Sequence, residues 1–402
     1  MRHAVSRTRV AVVTNVLPHY RGAFYDRLFQ RRDLDVHVFC QRAIPGMNLE
    51  TVHARFPRVS LVPAMSLSRE RLAWQWLPWA RLLSSFDVLF VSGNPRVVSN
   101  VVLATAARVL GRPVVLWGQA HTANADPRTE RLRHWWWRRF RNLFVYTDGE
   151  ARWLRGRGFT CHHIVGMNNG LDQRRIDAAA ASWTPERLHA WRRQEGLEGR
   201  AVVLSCARLE PKNRFDLWLS AMPAVIVRVP DLLWCVIGDG EERRVLEARG
   251  RDLGLDRHVR WLGALVDEDR LAPWFLASRL LVHPEAIGLT LLHAFGYGLP
   301  VVTQDDPAGQ MPEFDAFVPG RTGMVYRRGD AADLGDTVGR CLRDDKVLDR
   351  MGDEARRIAR EAYNVDVMVE RFVAMAMHAR GPGPALSEAT GPDDTTPRGP
   401  GP

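Results

Sequence analysis

Residues 278–306 read SRLLVHPEAIGLTLLHAFGYGLPVVTQDD. Positions 279–283 form a short apolar run closed by Pro284, and 300–303 form a second with the β-branched bias of a buried parallel strand. Between them, Leu289, Leu292, Ala294 and Phe295 make an apolar face at helical spacing, and Gly296 and Gly298 stop it. The pattern predicts a strand–helix–strand unit whose connecting loop carries Glu285. In the first helical turn, Gly288, Leu289 and Thr290 leave backbone N–H groups at the carboxyl end of the sheet, backed by the positive end of the helix dipole. An anionic group fits there. Glu285, just ahead of those amides, reads either as an ordinary helix-start acid or as a carboxylate facing neutral hydroxyls beside a bound phosphate. The second layout is that of a sugar carried on a diphosphate.

Outward from that unit, 402 residues suit two domains of nearly equal size, and 46% apolar residues is a globular composition. No run reaches the roughly 18 apolar residues that a spanning helix needs. The short apolar start at 10–13 has no cleavage site, so neither a signal peptide nor a transmembrane segment is expected and the expected location is cytoplasmic. Cys40, Cys161, Cys206, Cys235 and Cys341 show no C-x-x-C spacing and read as reduced thiols. The net charge of +10 is carried almost wholly by arginine, the lysines being Lys212 and Lys346 alone. Such a charge favours an anionic partner without choosing between a membrane surface and nucleic acid.

Strands are expected at 9–15, 34–40, 59–62, 87–91, 113–117 and 143–147, alternating with helices such as 23–30 and 96–110, which makes the first half doubly wound. No G-x-G-x-x-G follows the first strand, so a nicotinamide or flavin site is not signalled. Asp33 and Asp35 form a nominal D-x-D where a loop enters a strand, and no metal site is read there. Residues 128–141, RTERLRHWWWRRFR, mix arginines with Trp135, Trp136, Trp137 and Phe140. This helix suits an anionic bilayer, aromatics at headgroup depth and arginines on phosphates. Leu132, Trp136, Phe140 and Leu143 also fall at a spacing that packs on a sheet, which would leave the remaining tryptophans outward. No recognised nucleic-acid module surrounds the patch, and nucleic acid is not an expected partner. The second half opens with a strand at 200–207, followed by strands at 233–240, ending Gly238-Asp239-Gly240, and at 259–263, and by helices at 271–277, 331–341 and 347–362. Residues 381–402 have the composition of a disordered tail.

The central stretch, Pro284, Glu285-Ala286-Ile287-Gly288-Leu289, His293-Ala294 and Gly298-Leu299-Pro300-Val301-Val302, resembles the signature of the retaining, nucleotide-sugar-dependent glycosyltransferases of family 4. The resemblance runs loosely over 9–377 and is strongest over 202–302. It implies an α/β, GT-B fold, two Rossmann-like doubly wound domains facing each other across a cleft. The domains expected are 1–173 on the acceptor side, 174–362 for the nucleotide sugar, a helix at 363–380 crossing back to the first domain, and the tail 381–402. In the family the first Glu of the signature binds donor-sugar hydroxyls, a role that passes to Glu285. The second Glu binds ribose hydroxyls and here is His293. An Arg and a Lys about five residues apart clamp the donor diphosphate. Arg208 matches the first, and Asn213 occupies the second position between Lys212 and Arg214, with Lys212 taken as the second cation. Gly238 and Gly240 let a loop pass near the nucleotide. Leu289 and Thr290 join Gly288 in offering amides, Arg21 after the first strand would meet phosphate, and His121 would stand close to the transferred sugar. Pro312-Glu313 and 320–323 resemble further family elements, as does 164–172 at the end of the first domain.

The resemblance therefore implies transfer of a sugar from a nucleoside diphosphate to a glycan or lipid-linked acceptor at the cytoplasmic membrane surface, with no metal or other cofactor. Glu285, His121 and Arg208 are the expected catalytic residues. A sugar-nucleotide epimerase or a glycogen-type phosphorylase would use the same fold, but the first lacks this Glu-x-x-Gly-Leu helix and the second needs a lysine-bound cofactor. His293 and Asn213 also leave open a glycosyltransferase-like binding protein without turnover.

Overall fold

Seven short strands, apolar along most of their length, lie side by side and parallel in the first half of the chain. The structure is a computed structural model describing residues 7–44, 51–52, 55–67, 72–121, 127–160 and 162–381. In chain order the first half holds β1 (Thr8–Val13), α1 (Gly22–Gln30), β2 (Leu34–Cys40), β3 (Val59–Leu61), β4 (Ala64–Leu67), β5 (Leu72–Gln75), α2 (Trp79–Ser85), β6 (Val88–Ser92), α3 (Val98–Val109), β7 (Val114–Gly118), α4 (Pro127–Trp137), β8 (Asn142–Val145), α5 (Asp148–Gly156) and β9 (His163–Gly166). The sheet order is β3-β2-β1-β6-β7-β8-β9. β4 and β5 form a separate antiparallel hairpin that sequence reasoning missed, because its four-residue strands carry no strong alternation.

The second half holds α6 (Gln173–Ala181), α7 (Pro185–Gln194), β10 (Ala201–Cys206), α8 (Phe215–Arg228), β11 (Leu232–Ile237), α9 (Arg243–Asp252), β12 (Val259–Gly263), α10 (Glu268–Ala277), β13 (Leu280–Val282), α11 (Leu289–Tyr297), β14 (Val301–Gln304), β15 (Gly323–Tyr326), α12 (Ala331–Cys341), α13 (Asp345–Glu361) and α14 (Val365–Arg380). Its six strands run parallel in the order β12-β11-β10-β13-β14-β15. Each sheet is covered on both faces, which is why its strands are apolar on both sides. Strand order reverses between β1 and β6 in one sheet and between β10 and β13 in the other, and crevices for ligands open at such points.

The last helix belongs to the first core. Phe372 of α14 stacks on Phe90 of β6 with ring centroids 4.1 Å apart, and Met368, Val369 and Met375 are buried beside it. Between the sheets, Asp315 accepts hydrogen bonds from the Gly149 amide at 2.8 Å, from Arg152 at 3.0 Å and from the Tyr363 hydroxyl at 2.9 Å.

The arginine- and tryptophan-rich segment corrects the expectation in two respects. The helix stops at Trp137 instead of reaching residue 141, because Arg139 and Phe140 turn back through backbone bonds to Trp136 and Trp137 so that the chain can enter β8. Trp137, expected outward, is fully buried and donates its indole N–H to Gly93 O at 2.9 Å. Leu132, expected inward, is exposed together with Trp135. Among the described residues no helix is long and apolar enough to cross a membrane. Cys161 and residues 382–402, the bulk of the expected tail, lie outside the described residues.

Candidate active site

The loop from β13 to α11 stands at the reversal point of the second sheet. Pro284 O accepts the Tyr326 hydroxyl at 2.6 Å, Glu285 O accepts from the Thr303 hydroxyl at 3.2 Å, and the Ile287 amide donates to Gln310 Oε1 at 2.8 Å. His283 is buried beneath this loop with Nδ1 3.1 Å from Glu285 O. Burial pushes its imidazole down to about 4, so the ring is a neutral donor to that carbonyl. These contacts fix where α11 begins. Gly288 caps the helix without a side-chain bond, and no acidic residue lies in its first turn, so the Leu289 and Thr290 amides are not capped by it.

Thr290 ties this helix start to the neighbouring loop, its hydroxyl donating to Cys206 O at 3.0 Å at the end of β10. The Arg208 loop follows immediately. Its shape comes from Asn213, whose side-chain amide donates to Arg208 O at 2.7 Å. Gly238 and Gly240 have φ of 148° and 157°. A Cβ added at these positions would lie 1.8 Å from Ala207 O and 2.4 Å from Leu209 O. The glycines therefore let the β11 loop pack directly on the Arg208 loop. Arg208 and Lys212 are 61% and 74% exposed and share Glu210, with contacts of 3.4 and 2.5 Å. Lys212 first and Arg208 after it hold the Glu210 carboxyl below its ordinary range. Arg214, the other cation flanking Asn213 in the sequence, takes the left-handed conformation at φ 51°. It pairs with Asp216 at 3.0 Å and lies within the field of Glu285.

Glu285 is itself nearly buried and engaged. Arg328, from the loop after β15, reaches it with Nε at 3.2 Å and Nη2 at 2.9 Å, while Nη1 holds Asp306 at 2.9 Å. No motif announced Arg328, since only the pairing of β14 with β15 brings it there. His293 has a partner from α10, its Nε2 lying 2.7 Å from Glu268 Oε1, the same oxygen that accepts the Tyr297 hydroxyl at 2.6 Å. Burial raises the Glu268 carboxyl, but His293 and Tyr297 outweigh it and leave it below its usual value. A carboxylate thus stands against the position where the signature would carry one, contributed by another helix.

Glu313 closes the site toward the first domain. Its Oε1 accepts from the Asn169 side chain, and its Oε2 is buried without a partner among the described residues, facing Gly288, where an added Cβ would lie 3.7 Å away. Burial holds this carboxyl above the usual range.

His121 stands at the end of β7 with its Nδ1 3.3 Å from Glu130 of α4 and its ring beside Trp153. Its loop is suspended on Glu150, which accepts from the Ala120, His121 and Tyr146 amides at 2.9, 3.2 and 2.8 Å. Burial pushes this carboxyl up to about 7, with the three amides pulling the other way. Thr122, the next loop residue, lies outside the described residues. Arg21 is on the first domain too, buried at the rim of a cavity of about 600 Å³ that opens where β1 and β6 diverge. Asp33, half of the nominal D-x-D, is paired with Arg31 at 2.8 Å. Among the described residues no three His, Cys, Asp or Glu side chains group as metal ligands.

Two parallel doubly wound domains, each with its reversal crevice and joined by a returning C-terminal helix, define the GT-B class of architecture. The structure is similar over 94% of its length to a glycosyltransferase of Rickettsia africae, with a TM-score of 0.71 at 13% identity and all of that chain covered. It is similar over 92% to Anabaena HepE in complex with UDP, with a TM-score of 0.67 at 17% identity and 99% of that chain covered. Residues 189–358 match the model of the family described as Glycosyl transferases group 1. Among curated proteins it is 28% identical over 193 residues to the GDP-mannose-dependent alpha-(1-6)-phosphatidylinositol monomannoside mannosyltransferase of Mycolicibacterium smegmatis, covering 46% of this chain and 50% of that protein. It is 30% identical over 210 residues to D-inositol 3-phosphate glycosyltransferase 2 of Catenulispora acidiphila, covering 49% of this chain and 46% of that protein. The chain spans about half the length of these curated relatives.

Proposed function

We propose that the protein is a retaining glycosyltransferase that moves a sugar from a nucleoside diphosphate to a glycan or lipid-linked acceptor. The observation that carries this reading is the Thr290–Cys206 bond, which sets the α11 first-turn amides beside the Arg208 loop with Glu285 just ahead of them. Arg208, with Lys212 or Arg214, and the amides of Leu289 and Thr290 receive the diphosphate, while Glu285, held by Arg328, accepts from sugar hydroxyls. The bond from the anomeric carbon to phosphate breaks, the acceptor oxygen bonds that carbon from the same face, and the acceptor proton passes to the departing phosphate oxygen. Guanidinium groups and a helix start stabilise the charge that develops there. Closure of the domains would exclude water from the donor.

The two relatives described above are named for GDP-mannose and for inositol phosphate, which puts GDP-mannose first in a donor panel. Purified protein is tested against UDP-, GDP- and ADP-sugars for slow hydrolysis. One donor is expected to turn over, with a loss of roughly 100-fold or more in both Glu285→Ala and Arg208→Ala. Undiminished hydrolysis in both variants would put the donor elsewhere. The engagement of Glu285 by Arg328 favours one other reading, a nucleotide binder without turnover, which predicts affinity for a nucleoside diphosphate and no hydrolysis of any donor. We place the protein at the inner face of the cell membrane through the exposed side of α4, where Leu132 and Trp135 stand among arginines.

A further inference from the structure

The first-domain cavity is distinct from the donor crevice, being lined by the loops after β1, β6 and β7 and by α4. Its cationic lining is Arg21, Arg96 and Arg133, and among the described residues no Asp or Glu lines it. Arg21 is 7% exposed, and among the described residues it forms no ion pair. Instead its guanidinium lies 5.4 Å from the Tyr146 ring centroid and 5.9 Å from those of Tyr20 and Trp117, with Nη1 donating to Met167 Sδ at 3.5 Å. Arg96 stands exposed on the loop after β6, its backbone amide fixed by Asn94. Arg133 donates to Gln119 O at 3.0 Å, and its desolvation weakens its hold on its proton.

A guanidinium withdrawn from water onto aromatic rings, with no ion-paired carboxylate among the described residues and only the more distant field of Glu313 to offset it, is an expensive arrangement, and a ligand anion relieves it. Three guanidinium groups in one polar cavity suit a phosphate, which accepts their forked donors. The space exceeds what inorganic phosphate fills and leaves room for a polyol or sugar against Tyr20 and Trp117. On the transferase reading the acceptor enters from the first domain, and we propose that this cavity selects it through a phosphate group, held by Arg21 and Arg96 with Arg133 beside them. The proposal rests on the transferase reading for the word acceptor, and it moves Arg21 from the donor's phosphate to the acceptor's.

The test is calorimetric titration of the full chain with glycerol 3-phosphate and with glycerol, and flotation with phosphatidylcholine vesicles with and without phosphatidylglycerol. The phosphate ester is expected to bind and glycerol not, with at least tenfold weaker binding in Arg96→Ala, a surface change that spares the core. If the phosphate belongs to a lipid headgroup, Arg96-dependent binding appears on the phosphatidylglycerol vesicles; if to a free polyol, it appears with glycerol 3-phosphate and not the vesicles. Equal binding of glycerol and its phosphate, or full phosphate affinity in Arg96→Ala for ester and vesicles alike, overturns the proposal. Donor hydrolysis without acceptor is scored separately. Its loss alongside Arg96-dependent phosphate binding overturns the transferase reading and leaves the anion site standing; its presence without phosphate binding overturns only the site.

Discussion

Arg328 and His283 are the side chains on which Glu285 depends, one holding its carboxylate and the other its backbone. Removing Arg328 leaves a nearly buried carboxylate without its counter-charge, at a cost of about 1–2 kcal/mol for a pair exposed on one side. Arg328→Ala is expected to lower donor kcat/KM about tenfold, with Arg328→Lys recovering part of it; unchanged hydrolysis kinetics would show that Glu285 needs no such support. His283 makes a pH prediction. In the unfolded chain its imidazole takes a proton near 6.5, whereas the native ring stays neutral down to about 4. Between those values the unfolded state binds more protons at this residue, so the stability that His283 contributes is full above pH 6.5 and falls as pH drops toward 4, by about 3 kcal/mol. The buried Glu150 carboxyl, pushed up to about 7, takes up its proton more readily in the native state and offsets this loss over much the same window. The test is therefore the difference in urea stability between the parent and His283→Gln, which should move against the parent by about 3 kcal/mol from pH 7.5 to 4; a constant difference would show that His283 does not titrate as a buried neutral ring. Glu285 was legible from its place before a helix start. Arg328 and Glu268 were not, because each arrives from an element that only strand pairing and helix packing bring alongside.

At the scale of the element, α4 shows how one composition serves two surroundings. Its arginines and tryptophans read as a membrane-facing segment, and the three consecutive tryptophans could not be sorted by spacing alone. Packing sorts them: Trp136 and Trp137 enter the core, Trp137 beneath Gly93, where a Cβ would lie 2.5 Å from its ring, and Trp135 remains outside, 57% exposed. Trp137→Ala is therefore expected to destabilise the first domain by about 3–5 kcal/mol, measured by thermal unfolding, while Trp135→Ala stays within about 0.5 kcal/mol of the parent. Sedimentation with anionic vesicles should show the opposite ranking per folded molecule, weakening in Trp135→Ala and with added salt. Equal vesicle binding in Trp135→Ala and the parent would remove α4 from any membrane role. The strand–helix–strand unit around α11 was readable because its strands are apolar on both sides and glycines end its helix, both local properties of the chain.

Across the whole molecule, Asp315 links the two sheets. It sits at the start of α5, where the Gly149 amide and the positive end of the helix favour a carboxylate, and it also holds Arg152 and the Tyr363 hydroxyl. Asp315→Ala should loosen the domains, seen as a larger radius of gyration in small-angle scattering of the free protein and as a raised donor KM; an unchanged scattering profile would mean that α14 alone sets the domain spacing. The sequence by itself determined the two doubly wound halves, the strand and helix periods, and the loop that carries Glu285 and the helix-start amides, since these follow from apolar spacing, glycine stops and turn chemistry within a few residues. Tertiary structure alone decided that α14 completes the first core, that Glu268 meets His293, that Arg328 holds Glu285, and that three arginines converge where β1 and β6 part. Those outcomes depend on which surfaces are left to cover once the sheets have formed, and long-range burial and charge pairing leave no local pattern in the chain.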